Sequence, residues 1–306
     1  MKTGLNERVQ RRLLLVMGMG ALLVVGALPV RADPGASSIP RGSDPSGQQT
    51  KVNSSRGCPQ EMVRTRNVCI DRWESSTVDK KTGRALSPYY PPAAVLLRRV
   101  LDIWQVERLS YGDSRARALE LPMLDDWELS GDFEPKAVSR GGVVPQGYLS
   151  RDLAKRGCEN AGKRLCRFEE WKSACRGQAQ KDFPYGERYV PGKCNVSRTF
   201  HAAFELHGNS SIGHLDPRMN LVVERGVDPL LHLTGATSSC ASVWGEDALY
   251  DMVGNLDEWV EDDEGGFVGG FYARTTTKGC DSRVRSHAPS YFDYSTGTRC
   301  CRDIDK

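Results

Sequence analysis

The sequence predicts an α+β fold: one large domain with little regular secondary structure, held together by disulfides. Three observations predict it. Ten cysteines, at 58, 69, 158, 166, 175, 194, 240, 280, 300 and 301, make an even set, which is the mark of a disulfide framework in an exported chain. The chain has 31 glycines and 16 prolines, and only a few of its segments carry helical spacing. About 250 residues follow Cys58 without a repeat of fixed period, enough for one domain with a substantial core.

In chain order, residues 1–32 read as a cleavable signal peptide. Lys2, Arg8, Arg11 and Arg12 form a basic start, Leu13 to Val30 run apolar, and Val30-Arg31-Ala32 places small residues three and one before a cut at Asp33. The same run read as an uncleaved anchor is nearly long enough to span a bilayer. Pro29 and the cleavage pattern favour removal, which leaves no transmembrane segment. Residues 33–56 are rich in Pro, Gly, Ser and Gln and nearly free of apolar side chains, so they are expected to form a disordered linker. Residues 57–306 form the domain. The leader holds five basic residues and one acidic, so the rest carries 37 basic and 38 acidic residues, a net charge of −1. No global field remains to attract nucleic acid or an anionic membrane. The expected location is periplasmic or extracellular, with attachment to a cell envelope as a further option.

Within the domain, Ser150 to Ala161 has helical spacing, with Ser150 as N-cap and Gly162 as the residue that ends the helix. Lys163 and Arg164 follow, where cations are favoured by the helix dipole, and are expected at the surface. Phe168 to Cys175 is a second helix. Trp171 and Trp259 are expected in the core. His201, His207 and His214 have no metal-ligand spacing and are expected in exposed loops. Asn53, Asn195 and Asn209 begin N-x-S sequons. The cysteines show no C-x-x-C and no histidine pair at finger spacing.

Four stretches, in order, carry a resemblance. The first is Cys58-Pro59 with Met62-Val63 and Val68 to Glu74. The second runs from Cys158 through Gly162-Lys163-Arg164-Leu165 and Glu170-Trp171 to Cys175-Arg176-Gly177, with Phe183-Pro184-Tyr185-Gly186 and Cys194-Asn195-Val196 after it. The third is Tyr250-Asp251-Met252-Val253-Gly254-Asn255 with Glu258-Trp259-Val260. The fourth is Gly269-Gly270-Phe271-Tyr272, closing with Gly297-Thr298-Arg299-Cys300-Cys301. Together they resemble the formylglycine-generating enzyme, or sulfatase-modifying factor, family, over nearly all of residues 58 to 303. The resemblance implies a C-type-lectin-like fold.

It also implies a calcium site formed by the Asp251 and Glu258 side chains and the Gly254 and Leu256 carbonyls, hard oxygen ligands of the kind that ion takes. A second family calcium site begins at Asn195 and Val196, but its other ligands fall beyond a long segment, residues 197 to 233, that does not align. The resemblance pairs Cys158 with Cys300 and Cys175 with Cys280. Cys58 with Cys69 is read as a local pair, and Cys166, Cys194, Cys240 and Cys301 make two more bridges in an order left open.

Active members of the family are similar copper-dependent oxidases that turn a sulfatase cysteine into formylglycine, and two thiolates hold the Cu(I). Here the stretch after Gly270 places Arg274 where the first thiol falls, and Cys280 aligns better with a structural half-cystine. Copper is therefore not expected, and Cys280 is a catalytic candidate only as a free thiol. The favoured reading is a non-catalytic pseudoenzyme that binds a protein, peptide or glycan in the former substrate groove, lined by Tyr272, Arg274, Arg283 and Arg285. The alternatives are a formylglycine-generating-type oxidase acting on a cysteine thiol and a structural component of a cell-envelope assembly.

Overall fold

A computed structural model describes residues 57–107, 118–262 and 266–304. The expected signal peptide, 1–32, and the expected linker, 33–56, lie outside the described residues. The chain forms β1 (Met62–Arg64), β2 (Val68–Asp71), β3 (Ser75–Asp79), α1 (Ala94–Glu107), α2 (Asp126–Ser130), β4 (Pro135–Ser139), α3 (Arg151–Asn160), β5 (Arg164–Leu165), α4 (Phe168–Cys175) and α5 (Ala202–His207). Then follow β6 (Val223–Glu224), β7 (Asp228–Pro229), β8 (Ala241–Trp244), β9 (Asp247–Tyr250), β10 (Asp257–Val260), β11 (Gly266–Val268), β12 (Arg283–Val284), β13 (Thr296–Thr298) and β14 (Cys300–Asp303). The strands are short and the helices few, as expected for this α+β class. No helix among the described residues is long and apolar enough to cross a membrane.

Local chemistry explains the two expected helices. The Ser150 hydroxyl accepts the Leu153 amide at 3.2 Å and starts α3. Gly162, at φ +69°, ends it. Its amide donates to the Glu159 carbonyl and the Lys163 amide to the Cys158 carbonyl, both at 2.9 Å, the paired bonds of a Schellman stop. In α4 the Glu170 carboxylate turns back to accept the Arg167 amide at 2.9 Å, and Trp171, Ala174 and Cys175 face inward.

Two four-stranded sheets organise the domain, in the orders β1-β2-β14-β5 and β12-β11-β10-β13. The chain's last strand, β14, lies between β2 and β5, with Cys301 opposite both Ile70 and Arg164. β10 runs parallel to β13, with Glu258 opposite Gly297. Trp171 centres one apolar cluster with Val63, Ile70 and Met252, and Trp259 another with Leu153, Leu165 and Phe267. A third gathers Tyr148, Leu97 and Val100 of α1, Leu256 and Tyr272.

All ten cysteines lie among the described residues and all are paired: Cys58–Cys69, Cys158–Cys300, Cys166–Cys301, Cys175–Cys280 and Cys194–Cys240. Neighbouring residues of a strand point to opposite faces, so Cys300 and Cys301 bridge away from β14 on two sides. The condition on which Cys280 was a catalytic candidate, a free thiol, is not met.

Three expectations for polar residues are corrected. The Lys163 side chain is buried, not at the surface, and its Nζ donates to Asp71 at 2.6 Å and lies 3.0 Å from Glu61. Burial disfavours its charge, but the two carboxylates outweigh that and hold it above the ordinary lysine value. His207 is buried as well, with Nε2 2.9 Å from Asp216, whose carboxylate also takes Arg218. His201 caps α5 through Nδ1, which accepts the Ala203 amide at 3.2 Å. Asn195 is buried, which removes it as a glycan acceptor.

Candidate functional site

The tight turn after β11 builds the most distinctive polar face. Gly269 and Gly270 take φ +87° and +79°, a left-handed backbone that glycine adopts without strain. The turn returns Arg274 over β10. Its Nε and Nη2 donate to the Asp257 Oδ2 at 3.2 and 2.7 Å. Arg274 is 31% exposed and Asp257 1%, so the pair has one wet end and one dry end. The guanidinium carbon also sits 5.3 Å from the Phe271 ring centre and 5.8 Å from that of Phe267, within cation–π range. Burial pushes the Asp257 carboxyl up to about 7, against the pull of Arg274, while the neighbouring Asp293 pushes the same way. Its Oδ1 is buried, and the Gly270 amide also acts on this carboxyl, in the lowering direction.

Asp293 is engaged on both oxygens. Its Oδ2 accepts the Tyr291 hydroxyl at 2.5 Å, and Oδ1 accepts the Ser295 amide and hydroxyl at 2.8 and 2.7 Å. The half-buried His287 ring packs 3.9 Å from that of Tyr291, and burial holds it below the ordinary histidine value. The face therefore offers the outer guanidinium nitrogen of Arg274 and aromatic edges, with the Asp257 carboxylate buried behind them. That set suits a ligand carrying an acceptor group. A cavity of 430 Å³ lies further along the same segment, lined by Thr277 and Lys278 with Phe183 and Tyr189.

Of the four groove residues expected, Arg274 alone lies in this arrangement. Tyr272 is fully buried and lines no surface; its hydroxyl points at the Asn220 Oδ1, 3.4 Å away. The reason is its place one residue past Phe271 in the apolar cluster around Leu256. Arg283 is directed elsewhere, ion-paired to Asp262 and lying 4.1 Å above the Phe168 ring. Arg285 is exposed on the segment after β12. Asp257, Asp293 and Tyr291 were missed. The only available signal was that Asp257 falls inside the motif from Tyr250 to Val260.

The loop offered to calcium is a buried electrostatic knot. Asp251, Gly254 and Asn255 take φ +57°, +87° and +64°. A Cβ on Gly254 would lie 2.2 Å from the Asn195 carbonyl oxygen, so only glycine fits there. Glu258 receives both Arg299 Nε and Nη2 on Oε1, at 2.9 and 2.7 Å, and Nε again with Trp171 Nε1 on Oε2, at 2.8 and 2.7 Å. Three N–H donors, the Arg299 Nε–H shared between the two oxygens, thus hold the carboxylate on both sides. Arg299 spends its remaining donors on the Asp71, Arg72 and Tyr250 carbonyls.

Glu74, which the sequence reading did not assign, accepts Asn255 Nδ2 at 2.6 Å and the Leu256 amide at 3.0 Å. Asp251 accepts the Gly235 amide at 2.6 Å. Burial lifts Asp251 to about 6 and Glu74 well above the ordinary range, with the neighbouring carboxylates adding to it. Arg299 is the cation of this cluster. With Glu258 held by three N–H donors and paired to the Arg299 charge, the side chains here do not fit a calcium ion. Among the described residues no group of three or more His, Cys, Asp or Glu could hold a metal. The copper site that the resemblance implies needs two thiolates, and with every cysteine among the described residues in a bridge the residues present do not fit that ion either.

Comparison with known proteins places this geometry in a family. Residues 125–304 match the family described as sulfatase-modifying factor enzyme 1-like domain. Solved structures similar to the chain include one of PvdO from Pseudomonas aeruginosa, at 16% identity and TM-score 0.37, covering 78% of this chain and 80% of that one. Another is of CarF, at 14% identity and TM-score 0.37, covering 78% of this chain and 87% of that one. No match to a curated protein is found.

Proposed function

The chain belongs to the family of sulfatase-modifying factor enzyme 1-like domains, and from that premise we propose that it is an exported, non-catalytic binding domain. Its partner is a protein, peptide or glycan that presents an acceptor group, a carboxylate foremost, to Arg274. The observation that carries this reading is the Arg274–Asp257 pair, half-exposed at one end and dry at the other, at the turn where the family's oxidases need a thiol. A guanidinium held at one edge keeps its outer nitrogen for a ligand, and the rings of Phe267 and Phe271 limit its motion.

The ten paired cysteines support the absence of thiol–copper chemistry. Five bridges also support an oxidising compartment, since such frameworks persist outside the cytoplasm.

The test has two arms. Arrays of peptides and glycans, probed with the wild type and with Arg274→Gln, are expected to give acidic ligands that the variant loses by about tenfold or more, the scale of one charge-assisted contact. Equal binding by both proteins refutes the assigned face. A sulfatase-derived cysteine peptide incubated with the copper-treated protein is expected to stay unchanged. Formylglycine in that peptide refutes the non-catalytic reading.

A further inference from the structure

The stretch at Asn195 and Val196, offered by resemblance to a second calcium ion, is built around a guanidinium. Arg198 Nη1 donates to the Pro229 carbonyl at 2.9 Å and reaches Asn195 Oδ1 at 3.5 Å. Its Nη2 donates to Glu224 Oε2 at 2.7 Å and Asp228 Oδ2 at 2.5 Å. His232 Nε2 lies 3.3 Å from Nη1. Two carboxylates, a side-chain amide oxygen and a backbone carbonyl thus converge on one positive group whose side chain is 11% exposed. Oxygens of these kinds are what a hard divalent cation collects.

The residue cannot step aside cheaply. Its own amide donates to the Tyr272 carbonyl at 2.9 Å, and that of Ser197 to the Arg274 carbonyl at 3.1 Å. Asn195 is fixed too: Nδ2 donates to the Leu230 carbonyl and to Asn255 Oδ1, both at 2.9 Å, and its carbonyl accepts the Asn255 amide at 2.8 Å. Arg198 and a calcium ion compete for the same oxygens, and the guanidinium is tethered covalently at the spot.

We infer that Arg198 is the resident cation of this segment, standing where the resemblance puts calcium. It ties the β6–β7 hairpin to the turn that carries Arg274, and the hairpin needs no metal ion to stay folded. The inference is independent of what Arg274 binds.

Hydrogen exchange read by mass spectrometry, on peptides spanning residues 195–232 of the purified protein, tests it. In the wild type these peptides are expected to exchange at the same rate in excess calcium and in EDTA. In Arg198→Ala they are expected to exchange faster by about tenfold or more, the signature of local opening, and calcium is expected to restore part of the protection by taking the vacated oxygens. Calcium protection or EDTA-induced opening of these peptides in the wild type overturns the inference. So does a variant whose exchange is unchanged, or one that calcium does not protect. If the variant fails to fold, the wild-type comparison alone decides.

Discussion

Glu258→Gln isolates the buried ion pair that the loop from Asp251 to Asn255 wraps around. Both partners are essentially inaccessible, at 1% for Glu258 and 0% for Arg299. The glutamine keeps the shape but replaces one acceptor oxygen with an NH₂ that faces donors, from Arg299 or from Trp171. Removing one partner of a buried pair costs about 3–5 kcal/mol because the other charge stays buried. For a domain of this size each kcal/mol lowers Tm by roughly 2–4 °C, so a fall of about 6–20 °C is expected. Arg299→Met should cost more, since it also strips donors from the Asp71, Arg72 and Tyr250 carbonyls, each worth about 1–3 kcal/mol when left unsatisfied. The double variant should be less destabilised than the sum of the two. Urea unfolding of the four proteins, read by tryptophan fluorescence, measures the coupling energy, expected at about 3 kcal/mol. A coupling below about 0.5 kcal/mol refutes the claim that Arg299 is the counter-charge of this cluster.

Other perturbations probe the fold at separate points. Denatured without reductant and treated with a thiol label, the protein should show no reactive cysteine, and a labelled Cys280 would contradict its bridge to Cys175. Gly254→Ala combines φ +87° with a Cβ 2.2 Å from a carbonyl oxygen, so a loss of about 2–4 kcal/mol or failure to accumulate as soluble protein is expected. Near-wild-type melting of Gly254→Ala would show that the 251–256 loop is laxer than described. Asp216 sits in a burial that raises its carboxyl, but hydrogen bonds from His207 and Arg218 outweigh it and hold the group below the ordinary range. Its stabilising effect is therefore present above the unfolded value of about 4 and lost as pH falls through the folded one. Asp216→Asn should lose stability at neutral pH, with the gap to wild type closing in acid. A gap that stays constant from pH 7 down to acid argues against the ionised pair.

What the sequence revealed follows from how local each signal is. Ser150, Gly162 and the spacing from Phe168 to Cys175 act within a turn or two, and α3 and α4 stand where those signals put them. Helix α1 carries the same kind of signal in Leu97, Val100 and Trp104, all buried, yet was not recognised within a stretch lacking capping residues. The strands run two to five residues, and β10, Asp257-Glu258-Trp259-Val260, is buried at every position, so no alternation betrays it. The charged cluster was harder still. Glu258 meets Arg299, 41 residues on, and Glu74 meets Asn255 across 181; acidic residues whose partners are that distant look in sequence like a surface loop or a metal site. Arg274 was legible because it interrupts a motif, and Asp257 was not because its role depends on Arg274 folding back over it.

The position of β14 has a consequence for how the molecule is made. The final strand fills the middle of a sheet, between β2 and β5, and its two adjacent cysteines reach back 142 and 135 residues. Nothing N-terminal to it can close that sheet alone. During synthesis the earlier strands must wait, with a central slot open, until residues 300–303 arrive. A truncation before Cys300 removes the central strand and leaves Cys158 and Cys166 without their bridge partners. A finished chain cut in a surface loop between them stays one covalent body.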